Sequence, residues 1–349
     1  SIPSLVKVLC VFCLILSLNR MRIGLSYCLL IGSLVLGLWM KMGLGDIIVS
    51  GFKSLLNIQT ISLILIVGSI LVISRLMKES RHLDRIVKGF SIIARDDRAA
   101  GAVLPALIGL LPMPGGALFS APMVETTFDR RLMTNEQKTA VNYWFRHIWE
   151  YWWPLYPGML LAVEISGISM PVFIGIMFPL TIFSILGGYL FILRKVPIID
   201  PAVNTTGTVP HSVFKLMAPF MLIIGLYAAV SVLFPILAGV SRFLPVMIGV
   251  TAAQIYIQIS KPITFSGWRE VVLNGRPGIL VATVACILVY GALIEAPLPD
   301  GTLIIARMKD ELVGLGIPIV LAIGIIPFVS GITTGIALGF VGASFPIVM

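Results

Sequence analysis

The chain has 349 residues, 58% hydrophobic and 12% charged, with a mean hydropathy of +1.03. Soluble domains carry about a quarter charged residues, so this composition excludes one and reads as an all-α polytopic membrane protein. The net charge of +9 does not point to nucleic acid, because the basic residues sit in short loops between apolar runs, where the positive-inside bias places them.

Crossing a ~30 Å hydrocarbon core takes roughly 20 helical residues. Runs of about that length predict spans at 2–18, 23–40, 60–77, 139–165, 171–193, 216–236, 243–260 and 279–296. The first lacks a basic n-region and a small-residue cleavage site, so it reads as a span and not as a signal peptide. Cys10, Cys13, Cys28 and Cys286 lie in apolar segments and read as packing residues; Cys10-x-x-Cys13 has no second pair with which to hold a metal. Two further apolar stretches, 101–124 and 317–349, are interrupted centrally by Pro and Gly. Each reads as two half-length helices forming a re-entrant hairpin. His82 and His211 fall in polar loops. The Pro- and Thr-rich linker 194–215 separates an N-terminal half, 1–193, from a C-terminal half, 216–349, and its sequon at Asn204 falls on the expected cytoplasmic side.

Loop charge orients these elements. If both interrupted stretches return to the side they entered from, one side collects eighteen basic residues, including seven within 75–98. The other side holds five: Lys41, Lys53, Arg242, Arg307 and Lys309. The first side is therefore expected to be cytoplasmic, in the cell (inner) membrane. A full crossing at 101–124 would erase most of this bias.

The chain also repeats itself. "GFKSLLN" at Gly51 lines up with "GWREVVLN" at Gly267, and "SILVISRLM" at Ser69 with "CILVYGALI" at Cys286, offsets of 216 and 217. Each copy passes through a charge-bearing amphipathic segment (81–98; 302–311) into an interrupted stretch. There "LLP" at Leu110 matches "IIP" at Ile325, and Ser120-Ala-Pro122 matches Ser344-Phe-Pro346. Five steps through the spans separate 60–77 from 279–296, so the copies face opposite ways, as an inverted-topology repeat whose hairpin tips meet near the midplane. The first copy continues into 139–165, whereas the second reaches Met349 within or just after its hairpin, so a further C-terminal span is expected.

The segments "LLPMPGGALFSAPMVE", "NYWFRHIWEYWWPLYPG" and "PFVSGITTGIALGFVGASFPI" resemble a family of prokaryotic integral membrane proteins of unknown function. That family is grouped in the ion-transporter superfamily with gluconate permeases, citrate and dicarboxylate carriers and arsenite pumps. The resemblance covers essentially the whole chain. It implies two inverted halves, each with a re-entrant hairpin, in a homodimer with an elevator-like transport domain. It implies no substrate. The Ser-Asn-Thr signature of the sodium-coupled carboxylate carriers is replaced here by Pro-Gly-Gly in one hairpin and Ser-Gly-Ile-Thr-Thr-Gly in the other.

Candidate site residues follow from the breaks. In the first hairpin, Pro114, Gly115 and Gly116 cannot continue a helix, and the returning helix would aim its first amides, near Gly116 and Ala117, at an anion; a kinked structural helix is the alternative. In the second, the hydroxyls of Ser330, Thr333 and Thr334, beside Gly331, either meet substrate or a coupling ion, or bond the preceding turn. Ser120 and Ser344 sit at matched places on the returning arms. In 142–158, eight aromatic residues surround Arg146, His147 and Glu150. As a helix, this stretch puts Asn142, Tyr143, Arg146, His147 and Glu150 on an arc of about 140°, opposite most of the tryptophans. Arg146 and Glu150 are then i,i+4 partners. They form either a structural pair within an interfacial aromatic belt, or a site in which Asn142 and Arg146 hold an anion while His147 or Glu150 relays a proton.

The expectation is thus a secondary active transporter, not an enzyme, that moves a small, carboxylate-like organic anion across the lipid bilayer. It would be coupled to Na+ or H+, with no other cofactor, metal or nucleic-acid partner. No Walker A motif is present. The rivals are a membrane-embedded enzyme using His147 and Glu150, and a channel or accessory subunit.

Overall fold

The computed structural model describes residues 2–93, 97–113, 116–128, 133–196, 212–273 and 277–349. Among these the regular structure is α-helical, apart from one 3-10 turn and an isolated bridge between Pro297 and Leu303. In chain order the helices are α1 (Ser4–Arg20), α2 (Leu25–Trp39), α3 (Leu44–Leu56), α4 (Ile58–Glu79), α5 (His82–Ile93), α6 (Asp97–Gly109), α7 (Gly116–Thr127), α8 (Asn135–Arg146) and α9 (Pro157–Ser166). There follow α10 (Met170–Phe191), α11 (Ser212–Leu233), α12 (Pro235–Val240), α13 (Leu244–Ser260), α14 (Phe265–Leu273), α15 (Pro277–Glu295), α16 (Ile304–Gly314), α17 (Ile319–Thr334) and α18 (Ala337–Val348).

Four described helices are long and apolar enough to cross a membrane: Ile58–Glu79, Met170–Lys195, Lys215–Leu233 and Gly278–Glu295. They match four of the runs read from the sequence. The runs at 2–18, 23–40 and 243–260 are also helices, of 17, 15 and 17 residues. The run at 216–236 is cut at Phe234, where Pro235 starts α12. The run at 139–165 is not one helix, for reasons given below.

Two compact units form, and neither follows the halves of the sequence. The first takes residues 1–67, 157–168 and 278–349. In it, α1 packs on α2, where Ile15 fills the space left by Gly32. The amides of Ser4 and Leu5, which an α-helix leaves without internal acceptors, donate to the two carboxylate oxygens of Glu311 on α16 at 2.7 and 2.6 Å. A side chain at Gly342 of α18 would strike Ile287 of α15 at 2.2 Å, so the small residue permits this close crossing. α16 and α17 are bent by 117°. α17 then ends at Gly335, whose φ of 66° is left-handed, and α18 returns alongside it.

The second unit takes residues 68–156 and 169–277. α11 and α13 cross closely at Gly249, where an added Cβ would fall 2.8 Å from the Ile223 carbonyl oxygen. α4 is tied to α13 by Gln254 donating to Ser69, and to α14 by Arg75 donating to the Val271 carbonyl. His82, read as a loop residue, opens α5 and is buried, 3% exposed, with Nε2 2.8 Å from the Leu216 carbonyl. Burial, reinforced by the nearby Arg85 cation and only partly opposed by that hydrogen bond, holds its imidazole below the ordinary value. His211 and Asn204 lie outside the described residues.

Candidate functional site

The first interrupted stretch lies in the second unit. α6 cannot continue past Gly109 because Pro112 supplies no amide; the chain tightens instead, with Leu110 and Leu111 donating to the carbonyls three residues back. α7 starts at Gly116, whose amide reaches Met113 O at 3.0 Å. The chain returns so closely that a side chain at Gly101, early in α6, would meet Phe128, just past α7, at 2.1 Å. Pro114 and Gly115 lie outside the described residues.

α8 opens on a capping box in which Thr134 and Gln137 exchange hydrogen bonds. It ends at Arg146, and residues 147–156 continue as successive turns. This corrects the continuous helix and its polar arc. Asn142 and Arg146, each 5% exposed, share the buried face of α8 with Val141 and Phe145, whereas Tyr143 points outward at 59%. Arg146 and Glu150 do not pair as i,i+4 neighbours, because the helix stops between them. Glu150 Oε1 lies 3.7 Å from His147 Nε2 instead.

Nor do the tryptophans form a belt opposite that arc. A helix end leaves its last carbonyls without internal donors, and at membrane depth such groups need protein partners. The turns supply them: Trp149 Nε1 donates to Ala106 O at 2.8 Å, Trp153 Nε1 to Leu110 O at 2.9 Å, and the Tyr156 hydroxyl to Gly109 O at 2.6 Å. The other two indoles reach α10, Trp144 donating to Ser184 O and Trp152 to Thr181 Oγ1. Trp and Tyr combine an apolar body with one donor, the combination a broken buried helix requires. Sequence reasoning missed this role, although a Pro-Gly break followed by donor-bearing aromatics was visible.

Arg146 belongs to the same arrangement. Nη2 donates to Met113 O at 3.2 Å and Nη1 to His147 Nε2 at 3.2 Å. His147 Nδ1 faces the Tyr143 carbonyl, which only accepts, so Nδ1 carries a proton. Arg146 Nε is buried without a hydrogen-bond partner among the described residues. The Nε–Nη2 edge of the guanidinium abuts Gly116: a Cβ there would fall 2.0 Å from Nη2 and 2.7 Å from Nε, so no side chain fits between them. One turn earlier on α8, Asn142 accepts from the fully buried Ser120 hydroxyl at 2.6 Å and donates to Ala117 O at 2.8 Å. A cleft of about 390 Å³ opens beside this pair, lined by Ala117, Leu118, Lys138, Asn142 and Tyr143 among others.

The structure thus brings Gly116, Ala117, Ser120, Asn142, Arg146, His147 and Glu150 into one unit. Ser330, Gly331, Thr333, Thr334 and Ser344 belong to the other. There Thr333 donates to Val329 O, Thr334 to Ser330 O and Ser344 to Phe340 O, while Ser330 faces the carbonyls of Gly339 and Phe340 at 3.4 Å. Each hydroxyl has a single proton, committed here to the hairpin's own backbone, so toward a ligand these groups offer lone pairs only.

Fold and composition together define an all-helical protein carrying apolar helices of membrane-spanning length. More particularly, the chain belongs to a family described as protein of unknown function (DUF401), which it matches over residues 1–349. No curated protein matches it.

Proposed function

We propose that the protein is a secondary active transporter of a small carboxylate-like organic anion in the cell (inner) membrane, and that its family belongs to the ion-transporter superfamily. One observation carries the reading. The same series occurs twice: an amphipathic helix, a long apolar helix, a second short amphipathic helix and a pair of helices split by a Gly-containing break. These are α3 to α7 and α14 to α18. Corresponding helices begin at Asp97 and Ile319, and at Gly116 and Ala337, offsets close to those of the sequence repeat.

In this reading the series are inverted repeats and the split pairs are re-entrant hairpins. Broken helices bring helix ends and freed backbone groups to membrane depth, where transporters build their sites. The basic residues on one set of loops support the inversion, since it places eighteen of them on one side. Alternating access follows an elevator scheme in a homodimer, and Na+ or H+ drives symport. The lone pairs of Ser330, Thr333 and Thr334 suit a cation, and Arg146 suits the anion.

The test is concentrative uptake of a panel of labelled carboxylates into proteoliposomes under an imposed sodium or proton gradient. Accumulation above equilibrium is the expected result. Movement only down each substrate's own gradient, whichever ion is supplied, overturns coupled transport.

A further inference from the structure

A neutral imidazole has one N–H and one bare nitrogen with a single lone pair. In His147 the N–H is Nδ1, given to the Tyr143 carbonyl, so Nε2 is the bare nitrogen. Its lone pair accepts Nη1–H of Arg146 at 3.2 Å, and Glu150 Oε1 lies 3.7 Å from the same atom. That lone pair takes a donor from Arg146 or a proton, never both. The His147 and Glu150 side chains are 25% and 30% exposed, whereas Arg146 is buried, so a proton can reach the pair although the guanidinium is enclosed.

We propose that His147 and Glu150 form the binding site of the coupling proton, which competes with Arg146 for the Nε2 lone pair. The coupling role rests on the transporter reading above, whose driving cation it names. As the proton arrives, an Nε2–H bond forms and the hydrogen bond from Arg146 Nη1 breaks. Oε1 has to close by less than about 1 Å to accept the new N–H. Charge favours the exchange of partners: before it, Arg146 and Glu150 balance each other across a neutral ring, and after it the imidazolium pairs with the carboxylate. The Tyr143 ring, 4.2 Å from the imidazole centre to centre, also suits a cation. Arg146 keeps its bond to Met113 O, so each proton changes how α8 holds the break.

The other titratable groups of these turns are engaged elsewhere, Tyr151 facing Ser184 Oγ at 3.5 Å and Tyr156 donating to Gly109 O. From the helices packed on this segment, Arg98 donates to Val196 O and Glu125 lines the α7–α8 cleft with Lys138. Asp97 opens α6, and Tyr189 lies half-exposed near the end of α10.

The test titrates the full chain, in nanodiscs with nitrogen-15 histidine, from about pH 9 to pH 5. Of the three histidines, His147 is identified by its loss in His147→Gln. At high pH its Nδ1 should be protonated and its Nε2 bare, and Nε2 should gain a proton in one step as the pH falls. Arg146→Gln, which removes the competing cation, should raise the proton affinity of Nε2 about tenfold or more, and Glu150→Gln should lower it by a similar factor. If Arg146→Gln does not fold, the wild-type tautomer and Glu150→Gln carry the test. Nε2 protonated at high pH, no titration in this range, or an affinity unchanged by Glu150→Gln overturns the proposal. In proteoliposomes, Glu150→Gln should lose proton-driven accumulation of carboxylate while retaining exchange. Accumulation driven by sodium and indifferent to the proton gradient overturns the proposal and leaves transport standing. A titrating His147 without uptake of any carboxylate overturns transport and leaves the proton site.

Discussion

Tyr156 and Tyr290 are both buried, at 6% and 0% exposure, yet their hydroxyls stand in opposite circumstances. Tyr156 donates to Gly109 O, a carbonyl at the end of α6, at 2.6 Å. The Tyr290 hydroxyl has no hydrogen-bond partner among the described residues. Changing either to Phe keeps the ring, so no large cavity enters the comparison. In Tyr156→Phe the carbonyl is left buried and unpaired, which costs about 1–3 kcal/mol. That corresponds to a fall in apparent Tm of roughly 1–4 °C for a chain of this size. Tyr290→Phe removes a polar group that gains nothing from being buried, so it should be neutral or raise stability by about 1 kcal/mol. Both variants are scanned in one detergent at one heating rate, following tryptophan emission, because membrane-protein unfolding is often irreversible and rate-dependent. If Tyr156→Phe is silent, or if Tyr290→Phe destabilises as much, the assignment of the aromatic turns as donors to α6 is wrong.

Gly109→Ala should be more severe, costing about 3 kcal/mol or more and showing as lost folded yield by size-exclusion chromatography, because its methyl would lie 2.0 Å from the Arg146 carbonyl. Thr134→Ala should cost about 1 kcal/mol through loss of the capping box, read as a lower apparent Tm. His82 gives a pH dependence: its folded-state value lies below the ordinary 6.5, so its contribution is fully present above that pH. It is lost as pH falls from there through the folded value, since the unfolded chain takes up the proton first. His82→Gln, which keeps a donor for Leu216 O, should flatten this acid limb in thermal scans between about pH 7 and pH 5.

The apolar runs were legible because a spanning helix is a local property, and α4, α10, α11 and α15 lie close to where residue counting puts them. The breaks were legible too, since Pro112 and Gly335 act on their own backbone. What escaped was decided at a distance. Nothing within 139–153 forbids a helix through Glu150. It stops at Arg146 because the following indoles are drawn to α6 and α10, and because Arg146 itself is pressed onto Gly109 and Gly116. Ser120 and Ser344 match in the repeat yet differ in use. Ser120 has Asn142 opposite it, whereas Ser344 bonds back to Phe340. Residue type announced donors and acceptors; only the fold paired them.

The hold of Glu311 on the first turn of α1 spans 307 positions of sequence. At ~5–20 residues added per second, roughly 15–60 s pass between the emergence of one partner and the other. Through that interval α1 sits in the cell with its opening amides served by water or lipid headgroups, and the unit it belongs to stays unfinished. A chain that stops short of Glu311 thus leaves this helix end without the carboxylate that covers it in the fold.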